Sequence, residues 1–507
     1  MLNSVTRRRL LQAAGGITFL AISADGRVVQ AASRRSAAPQ PVFKALPYLQ
    51  PGAAGGSLRD GSESLVLAWE TTRIPARFEV EWGTGSRMSD GTVTPERTER
   101  YNFRKEDGKS AYHYAAVLTG LRLDSRYSYR VRMDGRTLIE GYFTTRKGRG
   151  KKCRFAAFGD NSLGDIHERM IAYQTYRAKP DFLLNTGDNV YENGLANEYT
   201  RYFFPIFNAD TASPRSGAPL LRSLLFYTVL ANHDYNTSNE KGPVSDFERD
   251  PDCLGYFQCL HLPENGDTAP THPMPIAGPE EQLAIFLKAA GTRYPRMGTY
   301  SFDYGDGHFL CLDSNTYVDP TDRRLQEWIE RDLAGTDASW KFVVYHHPAF
   351  GAGEVHYRQQ HMRVLSPLFE KHGVDIVLHG HAHTYQRTRP FRFTPTDVAR
   401  ARAVGSGDRL VPGQFSVDTR YDGERNTRAD GVVYITTGAA GKYLYDPEAT
   451  DNPAKWRHPE DNNVDYVVRF VSDRHSLTLF DMDAETLTLR QVDQWGETID
   501  RCRFTKK

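Results

Sequence analysis

From about residue 43 to 146 the chain alternates hydrophobic and polar positions with a period of two. Phe78, Val80 and Trp82 interleave with Glu79 and Glu81, the signature of a half-buried strand. Tyr127, Tyr129, Val131 and Met133 repeat it and run into Asp134-Gly135, a strong hairpin signal. No amphipathic helix interrupts this stretch, so it predicts an all-β sandwich. After 152 short apolar runs alternate with helical stretches, the pattern of a layered α/β domain. Leu325, Trp328, Ile329 and Leu333 fall at helical spacing before Gly335, which predicts a helix and its C-cap. The end returns to strands, with Leu477/Leu479 and Leu487/Leu489 on either side of a turn at 481–486. Residues 33–42 read as a linker and 147–152, rich in Lys, Arg and Gly, as a domain boundary. Residues 236–296, rich in Pro, Gly, Asn and acidic residues, read as an irregular insertion.

Chemistry collects where apolar runs end. Arg154–Phe158 ends in Gly159-Asp160, Phe182–Leu184 leads to Gly187-Asp188-Asn-Val-Tyr191, and Leu224–Leu230 ends in Ala231-Asn232-His233-Asp234. Phe342–Tyr345 ends in His346-His347, and Asp375–Leu378 ends in His379-Gly380-His381-Ala-His383. Sites in α/β sheets form where the carboxyl ends of strands converge, and five such ends in succession carry Asp, Asn, Tyr or His.

Composition narrows the partners. The 507 residues hold 64 Lys+Arg against 63 Asp+Glu, a net charge of +1, with 39% hydrophobic and 25% charged residues. That is an ordinary globular balance, without the basic field that nucleic-acid binding calls for. Five Cys exclude a disulfide-built scaffold, although Cys253 and Cys259 could close a small loop in an oxidising compartment. The first residues, Thr6-Arg7-Arg8-Arg9-Leu10-Leu11 followed by a short apolar run to Ile22, read as a signal peptide over 1–32. The arginine pair resembles a twin-arginine signal, which implies the twin-arginine export machinery as a partner and a periplasmic or secreted product; a general secretory signal is the alternative. Without those residues the chain carries 60 basic and 62 acidic groups. No later segment is long and apolar enough for a membrane span.

Eight of the sixteen His lie between 346 and 383. Together with the Asp and Asn of the earlier strand ends they suit a two-metal site, in which a carboxylate bridges two cations and imidazoles and an amide complete the coordination. Such a pair generates hydroxide near neutral pH and neutralises charge on a phosphoryl group, which is phosphoester hydrolysis without an organic cofactor.

The order Gly159-Asp160, Gly187-Asp188-x-x-Tyr191, Asn232-His233, Val343-x-x-His346 and Gly380-His381-x-His383 resembles that of the calcineurin-like metallophosphoesterases, and within them the purple acid phosphatases. Tyr300–Tyr304 through Leu312-Asp313-Ser314 and Gly431–Gly438 are also similar to that family, and Leu118–Val131 resembles fibronectin type III domains. The resemblance implies a fibronectin type III-like sandwich over 43–147 ahead of an α/β metallophosphoesterase domain over 152–507, with two mixed sheets flanked by helices. It implies one metal held by Asp160, Asp188, Tyr191 and His383, and another held by Asp188, Asn232, His346 and His381. Carboxylate and phenolate ligands suit Fe(III), and the imidazole-rich site suits Zn(II), Mn(II) or Fe(II).

The same resemblance implies that a metal-bound hydroxide attacks a small-molecule phosphate monoester, while His233 and His356 bind phosphate oxygens and protonate the leaving group. His361 rivals His356, and Asp234 rivals the substrate as the partner of His233. His347, His372 and His379 read as structural. The chain departs from the family pattern at Ser162, where many superfamily members place His, and at Ala231 and Asp234. A phosphodiesterase or alkaline-range phosphatase on the same site is the near alternative, and an exported binding protein with a vestigial site the remote one.

Overall fold

A computed structural model describes residues 42–506 apart from 54–57, 59–60, 75, 86–87, 101–110, 162, 236–243 and 268–273, together with the backbone of Ala21–Ile22 and Val28–Val29. These two dipeptides pair antiparallel within the unit Met1–Val42. The rest of the leader, most of the linker and Ser162 lie outside the described residues. Phe43–Lys507 forms the second unit.

The period-two region builds two four-stranded antiparallel sheets. One runs β1 (Phe43–Gln50), β2 (Ser62–Thr72), β6 (Ala111–Arg122), β5 (Glu96–Arg100) in spatial order, and the other β8 (Arg136–Thr144), β7 (Arg126–Met133), β3 (Phe78–Gly83), β4 (Gly91–Val93). Phe78, Val80 and Trp82 are buried. On the opposite face Glu81 meets Arg132 at 2.7 Å and Arg130 at 3.3 Å on the neighbouring strand, which is why polar and apolar positions alternate. Asp134 and Gly135 both take positive φ, 47° and 81°, as a two-residue I′ hairpin requires. The Tyr127 hydroxyl accepts from the Arg122 backbone N–H at 3.0 Å, pinning the corner before β7.

The catalytic half stacks two sheets. The six-stranded sheet runs β11 (Leu225–Thr228), β10 (Phe182–Asn185), β9 (Cys153–Phe158), β19 (Ser476–Met482), β20 (Thr486–Asp493), β21 (Thr498–Thr505). The seven-stranded sheet runs β12 (Tyr300–Tyr304), β13 (Gly307–Cys311), β14 (Trp340–Val344), β15 (Ile376–His379), β17 (Val433–Thr437), β16 (Tyr385–Thr388), β18 (Val467–Val471). Both are mixed: β9, β10 and β11 are parallel, as are β13, β14, β15 and β17, with antiparallel strands beyond them.

Aromatic rings lock the sheets together. Phe155 lies edge-on to Phe309 and Phe342, at 5.3 and 5.4 Å between centroids, a favoured geometry for buried rings. On the outer face of the seven-stranded sheet Val343, Val377 and Tyr434 pack with Ile329 and Leu333 of helix α3 (Arg323–Ala334). The Asp322 side chain caps that helix by accepting from Arg324 N, and Gly335 ends it. Helix α1 (Ile166–Ala178), capped by Asp165, flanks the six-stranded sheet.

The segment expected to be irregular contains a regular helix, α2 (Glu280–Ala290), with Phe286, Ala289 and Ala290 buried. The Pro, Gly and polar residues that surround this run dominate the segment's composition and hide it. Cys253 and Cys259 within this segment are free, buried thiols. The segment also meets the sandwich: the Tyr48 hydroxyl donates to the Cys259 carbonyl at 2.5 Å, and the rings of His113 and His261 meet at 2.8 Å between Nε2 atoms. A second tie is the buried pair Arg146–Glu63, 2.7 Å apart, whose guanidinium also donates to the Asp303 carbonyl at 3.1 Å.

Candidate metal centre

The five ligand-bearing ends come three from one sheet and two from the other. Asp160 follows β9, Asp188 and Tyr191 follow β10, and Asn232 opens a helical turn after β11. His346 follows β14, and His381 and His383 follow β15. Every one of these except Asn232 is at most 6% exposed. Asp160, Asp188, His356 and His381 all take left-handed backbone, with φ of 58°, 53°, 65° and 63°. Such conformations in non-glycine residues persist where surrounding contacts over-determine them and concentrate at functional sites.

Backbone donors orient the carboxylates. The His381 N–H donates to both Asp160 oxygens, at 3.0 and 2.9 Å, and the His233 N–H donates to Asp188 Oδ1 at 3.0 Å. Backbone carbonyls orient the imidazoles: His346 Nδ1 donates to Thr186 O at 2.8 Å and His383 Nδ1 to Tyr443 O at 2.7 Å. Each ring thereby turns Nε2 inward, to 3.4 Å from Asp188 Oδ2 for His346 and 3.5 Å from Asp160 Oδ1 for His383. The Tyr191 hydroxyl lies 3.2 Å from Asp160 Oδ1 and 3.4 Å from His383 Nε2. His381 is tethered the other way round, with Nε2 on Gln359 Oε1 at 2.7 Å.

A metal fits this donor set. Asp188, His346 and His381 offer ligand atoms all within 4.8 Å of one another. Asp188 Oδ2, His346 Nε2 and Asn232 Oδ1 are buried without a hydrogen-bond partner. A buried polar atom left without a hydrogen bond is costly, and Asp188 Oδ2 and His346 Nε2 facing each other at 3.4 Å is an arrangement a cation satisfies.

The charges are strongly coupled. Burial opposes a charged His346, but Asp188 and Asp160 outweigh it and hold the imidazole up at about 9. Against the cost of its own burial, Asp188 is held well below the usual carboxylate range by His346 and His233. Burial, then the charges of Asp188 and Asp160, push Tyr191 well above its ordinary value.

The two proposed acid residues flank this centre. His233 packs against Tyr191 at 4.5 Å between ring centroids, and its Nδ1 donates to the Glu192 carbonyl at 2.8 Å. Asp234 is not its partner: that carboxylate accepts from the N–H groups of Asp188, Asn189 and Ala231 at 3.1 to 3.2 Å and from the Tyr199 hydroxyl. Burial and the charge of Asp188 push Asp234 up to about 8. His356 lies 3.9 Å from the His381 ring, and burial, with His383 and His346 nearby, pulls it down to about 4. Its rival His361 is turned to the Ser314 carbonyl at 2.7 Å. His347 is buried on Ser314 Oγ, His372 faces Glu330, and His379 is buried beside Tyr434.

Residues that strand-end reasoning missed also meet here. Gln359, Glu192 and Lys442 each contact a proposed ligand or acid residue. They sit on loops whose sequence carries no ligand signal.

Comparison with known proteins gives this arrangement its class. Residues 154–385 match the family profile of the calcineurin-like phosphoesterases, and residues 57–145 that of the purple acid phosphatase N-terminal domain. An uncharacterized protein of Mycobacterium tuberculosis is 26% identical over 455 residues, covering 84% of this chain and 74% of its own length. Purple acid phosphatase 17 of Arabidopsis thaliana is 29% identical over 245 residues, covering 46% of this chain and 62% of its own. The solved purple acid phosphatase PPD1 of yellow lupin superposes with a TM-score of 0.61 at 16% identity, covering 90% of this chain and 74% of the other, a likeness of fold. The fold is that of a calcineurin-like phosphoesterase domain, which points to a hydrolase of phosphoric esters. The N-terminal domain match ahead of it supports the purple acid phosphatase family.

Proposed function

We propose that the chain is an exported binuclear phosphatase acting on phosphate monoesters. The observation that carries the reading is the convergence of ligand atoms of Asp188, His346 and His381, all buried and within 4.8 Å of one another. Asp160, Asp188, Tyr191 and His383 would hold Fe(III), and Asp188, Asn232, His346 and His381 a divalent Zn, Mn or Fe ion, the hard anionic donors matching the harder cation. Two cations so held would supply an activated water and neutralise charge at phosphorus.

The chain's own groups then bind and shuttle protons. With Nδ1 committed to the Glu192 carbonyl, His233 would use Nε2 to hold a phosphate oxygen. His356, whose ring lies 3.9 Å from that of His381, would pass a proton taken from solvent to the leaving oxygen. Small-molecule phosphoesters are the substrates, with attraction supplied at the site since the net charge is near zero.

The test is metal analysis with visible absorption of wild type and Tyr191→Phe, and rates on a mono- and a diester of one leaving group. A phenolate-to-iron band lost in the variant, with the monoester faster, supports the reading. A colourless, iron-free, active protein removes the iron assignment, and a faster diester removes the monoester assignment. Export through the twin-arginine machinery is supported by Arg7-Arg8 ahead of the apolar run. Retention of the Arg7→Lys/Arg8→Lys double variant in the cytoplasm, where the unaltered chain leaves it, tests that route.

A further inference from the structure

We propose that Lys442 is a positioning residue for Tyr191: its ammonium, held over the face of the phenol ring, sets the donor strength of that side chain toward a metal. The inference rests on the reading of Tyr191 as a metal ligand.

The loop after β17 is fixed from both sides of Lys442. The Ala440 N–H donates to Gly159 O at 3.2 Å and the Lys442 N–H to Asp160 O at 2.9 Å, while the next residue's carbonyl receives Nδ1 of His383 at 2.7 Å. The backbone of this one residue therefore sits between two of the proposed ligands of the same ion. Its side chain is buried, at 5% exposure, and brings Nζ to 4.2 Å from the Tyr191 ring centroid. Nζ also pairs with Glu192, the residue following Tyr191.

A buried ammonium is expensive unless paired, and a lysine without a role at this depth is unusual. Here the pairing uses the two residues that define one end of the centre. A cation on the ring face attracts the π electrons, and the attraction grows when the ring carries phenolate charge. Lys442 therefore favours Tyr191 as an anionic ligand and lowers the energy of its donor electrons. Glu192 opposes this by neutralising part of the ammonium charge.

The two side chains consequently predict opposite shifts of one spectroscopic band. In protein loaded with ferric iron and zinc, Lys442→Met raises the phenolate electrons in energy and moves the charge-transfer maximum to longer wavelength. Glu192→Gln leaves the ammonium less compensated and moves it to shorter wavelength. Lys442→Arg keeps the charge and restores the wild-type position. Iron affinity, measured by competition with a chelator, falls about 10-fold in Lys442→Met, the usual scale for groups that support a ligand.

A residue that served only packing would not give opposed shifts or rescue by Arg. Loss of the band in Tyr191→Phe with an unmoved band in Lys442→Met overturns the inference while leaving Tyr191 as a ligand. A band that survives Tyr191→Phe, or is absent from the loaded wild type, overturns both. Unaltered far-ultraviolet circular dichroism identifies the folded variants, and Glu192→Gln gives an independent test if Lys442→Met fails to fold.

Discussion

The backbone N–H of His381 donates to both carboxylate oxygens of Asp160. Asp160 ends a strand of the six-stranded sheet and His381 follows a strand of the seven-stranded sheet. The two halves of the centre are thus joined by a backbone clasp. It holds the far half of the ligand set in place, so the site is largely preorganised by the packing of one sheet on the other.

That clasp leaves no room for a side chain at Gly380. A Cβ there would lie 2.5 Å from Asp160 Oδ2 and 2.9 Å from Thr186 Oγ1, closer than real Cβ contacts, and a tight 3.0 Å from His346 Nδ1. Gly380→Ala is expected to displace both groups, so bound metal per chain falls in elemental analysis while circular dichroism keeps the native strand content. Full metal content in the variant would contradict this geometry.

Asp188 carries the second prediction. In the proposed reading it would serve both ions, and its buried Oδ2 lies 3.4 Å from His346 Nε2. Asp188→Asn keeps shape and removes the bridging charge, so both metals should be lost together rather than one. A variant that retained one ion at full occupancy would show that the two sites do not share this carboxylate.

His356 is expected to matter in proportion to the leaving group. A proton on the departing oxygen accelerates loss of an alkoxide far more than loss of an acidic phenolate. His356→Asn should therefore lower kcat about 100-fold on an alkyl phosphate and much less on an activated aryl phosphate. Equal losses on both substrates would place His356 outside the proton-transfer step.

His308 gives a pH-dependent stability far from the ligands. Its ring bridges Asp303 and Asp332, each at 2.8 Å. Burial opposes its charge, but the two carboxylates overcome this and raise it to about 9. The folded value lies above the unfolded value of about 6.5, so the stabilisation is complete below roughly pH 6.5 and is lost as pH rises through about 9. The wild type should exceed His308→Gln by about 3 kcal/mol near pH 6, with the gap closing by about pH 10 in denaturant titrations. A gap independent of pH would remove the ion pairs as its cause.

Arg146 and Glu63, both buried, tie the sandwich to the catalytic half. Arg146→Met strands the Glu63 charge and should cost about 3–5 kcal/mol, whereas the double change with Glu63→Leu should recover much of that. Urea unfolding of the three proteins compares them directly.

Much of this protein was legible in its order of residues. The period-two run from Phe78 to Trp82 and the Asp134-Gly135 turn define the sandwich because side chains alternate across a strand whatever surrounds it. The helix at Leu325–Leu333 and its cap were readable for the same local reason. The α2 helix was not, because the short run Glu280–Ala290 sits in a segment dominated by Pro, Gly and polar residues and buries only Phe286, Ala289 and Ala290. The proposed ligands could be read because each is anchored to a strand end, and strand ends are local. Lys442, Gln359 and Glu192 could not: their importance lies in what they touch across the fold.

The sequence by itself determined which donors this chain offers and in what order, since Asp, Tyr, Asn and His at strand ends are local facts of composition and spacing. Only the tertiary structure decided how they meet. Packing through Phe155, Phe309 and Phe342 stacks two sheets, and that stacking brings Asp188 to His346 across 158 residues of chain. It also chose His356 over His361 as the ring beside His381, and the Glu192 carbonyl over Asp234 as the partner of His233. The physical reason is distance: local patterns follow from backbone geometry a few residues at a time, whereas these contacts depend on buried surfaces that come together only once the whole core has formed.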